Sequence, residues 1–233
     1  MLSGGGTGGH IYPALAVAEA LRREAGPEGP PEVLYIGVRG RLDEAIVGRA
    51  SLPFEAVRAG PLRVGSPLGA AGGLANLAVG AFQAWRLLGR FRPEVVFATG
   101  GYASAPVGVG ARLRRLPLLV YLPDVRPGWA VRLLARLANR IATTTERSLA
   151  ELPARKAVVV GYPVREAFWA VDRTEARRRL GLPDDEKVVL VAGASQGARS
   201  INAAVAAQLD ALLALAHLVH VTGRVDEEEL LAR

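Results

Sequence analysis

A chain of 233 residues, half of them hydrophobic, has length for one or two domains and apolar content for a sizeable core. It has no cysteine, which excludes disulfides and thiolate metal sites, and no apolar run long enough to span a bilayer. The net charge of +7 is uneven: residues 1–160 carry 20 basic against 11 acidic side chains, whereas residues 161–233 carry 9 against 11. Such a basic first part points to an anionic partner, be it nucleic acid, acidic lipid or a phosphorylated substrate. Arginine spread over the surface without a partner is the competing explanation. No charged leader with a cleavage site is visible, so the expected compartment is the cytoplasm.

In chain order, Met1 to Ser3 lead directly into GGGTGGHIYP (4–13), and Pro13 is expected to open the helix PALAVAEALRREA. EVLYIG (32–37) reads as a buried strand. Within 61–94, Leu74, Leu77, Phe82, Trp85, Leu88 and Phe91 recur at near-helical spacing beside Arg63, Arg86, Arg90 and Arg92. That is the pattern of a helix at an anionic interface. Its aromatics are expected largely buried on the sheet, with Leu62, Leu68 and nearby arginines facing lipid. EVVFAT (94–99), PLLVYL (117–122), RIATTT (140–145) and AVVVG (157–161) read as further strands, and PGWAVRLLARLAN as a helix opened by its proline.

The segment 162–186 breaks the rhythm with a short helix ended by Gly181 and Pro183. KVVLVAG (187–193), the helix ARSINAAVAAQLDALLALA and HLVHVTG (217–223) follow. The strand runs lack polar alternation, as expected where helices cover both faces. The fold class is therefore α/β with a doubly wound, Rossmann-like parallel sheet. The expected organisation is a first domain at 1–161, a crossing at 162–186 and part of a second domain at 187–233. Met1 to Ser3 make a short first strand and the second domain stops after two strands, so the chain reads as clipped at both ends.

Gly4, Gly6 and Gly9 satisfy G-x-G-x-x-G, the dinucleotide fingerprint, but Arg39 stands where that site needs an acid for the ribose. Close packing of helix on strand explains one or two glycines, not five with Thr7 and His10 among them. A third reading fits the whole stretch: backbone N–H groups and a helix N-terminus cradle a phosphate, and His10 at the lip takes a proton from a hydroxyl.

A second glycine turn, GASQGARSIN, offers Gly193, Gln196 and Gly197 as another phosphate cradle. Read as G-x-S-x-G, it would make Ser195 a nucleophile, but Asp210, His217 and His220 follow too soon for a triad built from successive strand ends. There is no Walker A loop, H-E-x-x-H or D-x-D pair. No metal or cofactor is expected.

GGGTGGHIYPALAVAEAL, ATGGYASAPVGVGARL, GYPVR and GASQGARSIN, in that order, resemble successive motifs of the MurG family. The resemblance implies a GT-B fold and an inverting transferase. It would move N-acetylglucosamine from its UDP donor to a polyprenyl-diphosphate-linked muramoyl-peptide in peptidoglycan synthesis. It implies His10 as the base, Thr7, Gly8 and Gly9 along the diphosphates, and Arg165 and Ser195 on the donor. An ion pair with Asp172 or Glu166 is the alternative use of Arg165.

The implied partners are UDP-N-acetylglucosamine, the lipid-linked acceptor and an anionic membrane surface, not nucleic acid. The implied location is peripheral, on the inner face of the plasma membrane. Where the family reads H-E-Q-N-x-x-P-G, this chain reads YLPDVRPG, placing Asp124 at the asparagine. A carboxylate there removes a donor and adds negative charge near a diphosphate, with Arg126 available to compensate. Two other readings stay open. One is a module that binds the acceptor and takes its donor domain from another chain; the other is a transferase for a different lipid-linked or glycolipid acceptor.

Overall fold

Strands covered on both faces need apolar side chains at successive positions, and the first part of the molecule follows that rule. The computed structural model describes residues 1–60, 67–194 and 197–223, in two compact units, Met1–Phe168 and Trp169–Arg233. The first unit is a seven-stranded sheet made of β1 (Leu2–Ser3), β2 (Tyr35–Gly37), β3 (Phe54–Ala56), β4 (Val96–Ala98), β5 (Leu118–Leu122), β6 (Arg140–Thr143) and β7 (Ala157–Val159). The order is β3-β2-β1-β4-β5-β6-β7, with every pair parallel.

Adjacent residues feed opposite cores. Tyr35, Phe97 and Tyr121 join Leu2, Ile11 and Val47 on one face, while Ile36, Val96, Ala98 and Val120 join Leu88 and Leu134 on the other. Each large aliphatic side chain so buried contributes about 1.5–3 kcal/mol. Two-residue β1 suffices as the central strand because it is laddered on both sides: Leu2 pairs Tyr35 and Phe97, and Ser3 pairs Ile36 and Ala98.

Helices α1 (Gly8–Arg23) and α2 (Leu42–Arg49) accompany the core that contains Ile11 and Val47. α3 (Pro67–Phe91), α4 (Ser104–Leu113) and α5 (Trp129–Leu137) supply Leu88, Val107 and Leu134 to the opposite core. α1 begins five residues before Pro13 rather than at it. The N–H groups of His10 and Ile11 already bond to the Thr7 carbonyl, and the residue four before the proline is Gly9. A proline in the second turn forfeits one N–H bond, the one that would reach the Gly9 carbonyl. α5 likewise starts at Trp129, with Gly128 as N-cap and Pro127 outside.

α3 reverses the expectation for Phe82 and Trp85, while Phe91 packs partly buried against the core. Phe82 is 58% exposed, Trp85 38% and Leu74 60%, whereas Ala81, Ala84 and Leu88 are buried. The reason is the close approach of α4. A Cβ at Gly110 would lie 3.0 Å from the Trp85 nitrogen, and one at Gly80 would lie 3.1 Å from Pro106. Only small residues fit that seam, so the large ones turn outward. Leu62 and Arg63 lie outside the described residues, as does the side chain of Leu68.

The second unit contains α6 (Arg173–Leu180), β8 (Val188–Ala192), α7 (Arg199–Ala207), α8 (Leu209–Leu213) and β9 (His217–Val221), with β8 and β9 parallel. Asp172 caps α6 by accepting from the Glu175 N–H, and Gly181 ends it in the left-handed conformation at φ 65°. The stretch expected as one helix breaks at Gln208 into α7 and α8.

Candidate active site

In an open parallel sheet, ligands bind beyond the carboxyl ends of the strands where the strand order reverses. Here that point lies between β1 and β4, and both strands end in a glycine turn. Gly4, Gly5 and Gly6 follow β1, and Gly100 and Gly101 follow β4 with φ of 97° and 78°. The two turns touch backbone to backbone. A Cβ on Gly101 would fall 2.0 Å from the Gly5 carbonyl oxygen, and one on Gly100 would fall 3.0 Å from the His10 ring. The turns lead to α1 and α4, whose first N–H groups have no partners within their own helices. Thr7, the N-cap of α1, makes no side-chain cap bond; its side chain is exposed, as is Gly9, while Gly8 is buried.

His10, expected in a loop, stands in the first turn of α1 and is half-buried. Its Nδ1 lies 2.7 Å from the Thr99 carbonyl oxygen. A carbonyl only accepts, so the neutral ring carries its proton on Nδ1. Nε2 has no hydrogen-bond partner among the described residues and is left with its lone pair.

Beneath the first glycine turn, the buried Tyr35 hydroxyl donates to the Gly4 carbonyl at 3.0 Å. Asp43, fully buried, accepts from the Val38 N–H at 2.6 Å. Its Oδ1 and the Ser3 hydroxyl have no partner among the described residues. Burial pushes the pKa of both Tyr35 and Asp43 upward, favouring the neutral acids, and the nearby Asp43 charge adds to the rise at Tyr35.

Along the rim, Asp124 is exposed at the end of β5, close enough to Tyr121 and Tyr162 to add to the upward shift that burial gives both phenols. Tyr121 meets Tyr162 edge to face at 6.4 Å and donates to the Gly161 carbonyl at 3.1 Å. The Tyr162 hydroxyl reaches the Gly9 carbonyl at 3.5 Å, the oxygen whose helical donor Pro13 lacks. Arg165 lies over the Tyr12 ring at 4.9 Å and the Phe168 ring at 5.6 Å, while Glu166 is taken by Arg23 at 3.3 Å. His10, Thr7, Gly8, Gly9 and Arg165 are thus all associated with the first two turns of α1.

In the second unit, Gly193 and Gly197 flank the turn after β8. A Cβ on Gly193 would meet the Ala198 nitrogen at 2.4 Å, so this turn too is closed tightly on backbone. Ser195 and Gln196 lie outside the described residues. His217 pairs with Glu186 at 2.6 Å and His220 with the Asn202 side chain at 3.0 Å. No cluster of three metal-ligating side chains occurs among the described residues.

Residue reading alone did not single out Thr99, Gly100 and Gly101. The available signal was a second pairing of an apolar strand with glycines, EVVFATGG.

This sheet, with paired glycine turns at its switch point, is the N-terminal architecture of the GT-B glycosyltransferases. Residues 1–143 match the glycosyltransferase family 28 N-terminal domain, and the chain belongs to that family.

Among curated relatives, the UDP-N-acetylglucosamine–N-acetylmuramyl-(pentapeptide) pyrophosphoryl-undecaprenol N-acetylglucosamine transferase of Roseiflexus sp. is 43% identical, covering 96% of this chain and 59% of that protein. The enzyme of that name from Thermus thermophilus is 42% identical over 87% of this chain and 57% of its own. The chain therefore spans roughly three fifths of the length of these relatives. The crystal structure of Acinetobacter baumannii MurG shares the fold with a TM-score of 0.66 at 21% identity, over 100% of this chain and 60% of that one. The UDP co-structure of S. aureus MnaA gives 0.64 at 15%, over 98% and 63%.

Proposed function

We propose that the chain carries the acceptor half, and the beginning of the donor half, of an inverting glycosyltransferase of peptidoglycan synthesis. It moves N-acetylglucosamine from UDP-N-acetylglucosamine to a polyprenyl-diphosphate-linked muramoyl-peptide. Residues 1–161 form the acceptor side, 162–186 the crossing and 187–233 the start of the donor side. The observation that carries this reading is the unpaired Nε2 of His10, set beside two touching glycine turns at helix N-termini.

In the reaction the acceptor hydroxyl gives its proton to Nε2 while its oxygen attacks the anomeric carbon of the donor sugar. The bond from that carbon to the diphosphate oxygen breaks, UDP leaves with the electron pair, and attack from the opposite side inverts the centre. The backbone around Thr7, Gly8 and Gly9 directs N–H groups at diphosphate charge. Arg165 and Ser195, with the turn at Gly193, Gln196 and Gly197, stabilise the departing UDP. Asp124 can only accept while ionised, so it serves a substrate hydroxyl rather than a phosphate.

An acceptor anchored in lipid requires the protein to sit on an anionic membrane surface, and α3 supports this. Leu74, Val79, Phe82 and Trp85 are exposed, Phe82 and Trp85 are stacked at 6.1 Å, and Arg86 and Arg114 lie over the two rings. Among the described residues, no helix is long and apolar enough to cross a membrane.

The decisive experiment uses this chain joined to the remaining part of a family relative. His10→Ala should lower turnover by roughly 10²–10⁴ while leaving donor affinity nearly unchanged. Full turnover in a folded variant refutes the assignment.

A further inference from the structure

Thr99 holds His10 at both ends. Its carbonyl oxygen faces the ring Nδ1 at 2.7 Å, and its hydroxyl reaches the main-chain carbonyl of the same histidine at 2.5 Å. The Ser3 carbonyl is a second acceptor for that hydroxyl at 3.4 Å, but one proton serves the nearer oxygen. Thr99 is itself fixed, because its N–H donates to the Ser3 carbonyl at 2.9 Å as the last rung between β1 and β4, and it is fully buried. Gly100, next in the chain at φ 97°, brings backbone against the imidazole, where a Cβ would lie 3.0 Å from Cε1 and Nδ1. Gly4 leaves room for the hydroxyl, since a Cβ there would overlap Thr99 Oγ1 at 2.2 Å.

We infer that Thr99 is the positioning residue of His10: its hydroxyl anchors the first turn of α1, so that the ring stays on the Thr99 carbonyl as the Nδ1–H tautomer. The inference rests on the reading of His10 as the base. It also explains the geometry. A base must present its lone pair at one place in one tautomer, and the proton's place on an imidazole is set by what the other nitrogen bonds. A carbonyl alone leaves the ring free to rock with the helix end. Tying the histidine's own carbonyl to the same threonine removes that freedom, because the two contacts move together.

The test reads the tautomer rather than activity, so it remains decisive for Thr99 even if His10 proves not to be the base. Long-range proton–nitrogen NMR of the 233-residue chain distinguishes the two ring nitrogens, with His10 assigned by its loss in His10→Gln and separated from His217 and His220. The parent should show Nδ1–H. Thr99→Val keeps the shape and the carbonyl but removes the hydroxyl, and should shift the ratio toward Nε2–H by roughly three- to tenfold, the worth of one hydrogen bond. Thr99→Ser should restore the parent ratio. An Nε2–H tautomer in the parent overturns the inference whether or not the variants fold. A folded Thr99→Val with the parent ratio, or a folded Thr99→Ser that behaves like the valine, overturns it equally.

Discussion

Replacing Gly101 by alanine tests the contact between the two glycine turns. The residue sits at φ 78°, where a side chain costs about 1–2 kcal/mol from the backbone conformation alone. Its Cβ would stand 2.0 Å from the Gly5 carbonyl oxygen, inside any permissible contact, so the first turn must shift. Overpacking of that kind costs about 1–3 kcal/mol more. The sum, about 2–5 kcal/mol, is a large share of the roughly 5–15 kcal/mol that holds a typical domain folded. Gly40→Ala separates the two contributions: it too has a left-handed φ, of 69°, but nothing lies within 4 Å of its Cβ. Urea unfolding of the first unit, followed by the fluorescence of Trp85 and Trp129, should show Gly40→Ala losing about 1–2 kcal/mol and Gly101→Ala at least 1 kcal/mol more. Equal losses would mean that the turns are not in contact, and the assembly of the site at the switch point would fall with that result.

Two further outcomes follow. The α-amine of Met1 donates to the Val95 carbonyl from a buried position, and desolvation lowers its pKa from 8.0 to about 6. Between those values the folded chain binds fewer protons than the unfolded one, so stability should rise with pH across that window, by about 2–3 kcal/mol in all. Urea titrations should find this rise in the chain with a free amine and not in its N-terminally acetylated form; the same rise in both would assign it elsewhere. For the exposed face of α3, cosedimentation with anionic vesicles should weaken in Phe82→Ser with Trp85→Ser. It should fall about fivefold for each arginine charge removed at Arg86 or Arg114, and fade as salt rises. Equal binding to neutral vesicles would refute electrostatic docking.

Local chemistry in the sequence determined the class of fold and pointed to a candidate site. Runs such as EVVFA and LLVYL lack alternation because both faces of each strand are covered, and that pattern is readable without coordinates. The stop at Gly181 was readable too, since a left-handed helix end selects glycine. Glycines beside Thr7 and His10 pointed to a candidate backbone cradle, though not to the residues that surround it.

Only the tertiary structure decided which residues that cradle meets. His10 and Thr99 are 89 positions apart, and no periodicity links a histidine to a carbonyl on another strand. The same limit applies to α3. Spacing identifies a helical stripe, but which side is buried depends on how closely α4 approaches, and that is settled by Gly80 and Gly110. Pro13 lies inside α1 for a similar reason: the helix start is set by bonds to the Thr7 carbonyl, and the Gly9 carbonyl that the proline cannot serve is reached by the Tyr162 hydroxyl at 3.5 Å. Propensity and pattern act over a few neighbouring residues, whereas the tautomer of a histidine and the exposed face of a helix are fixed by groups that only folding brings together.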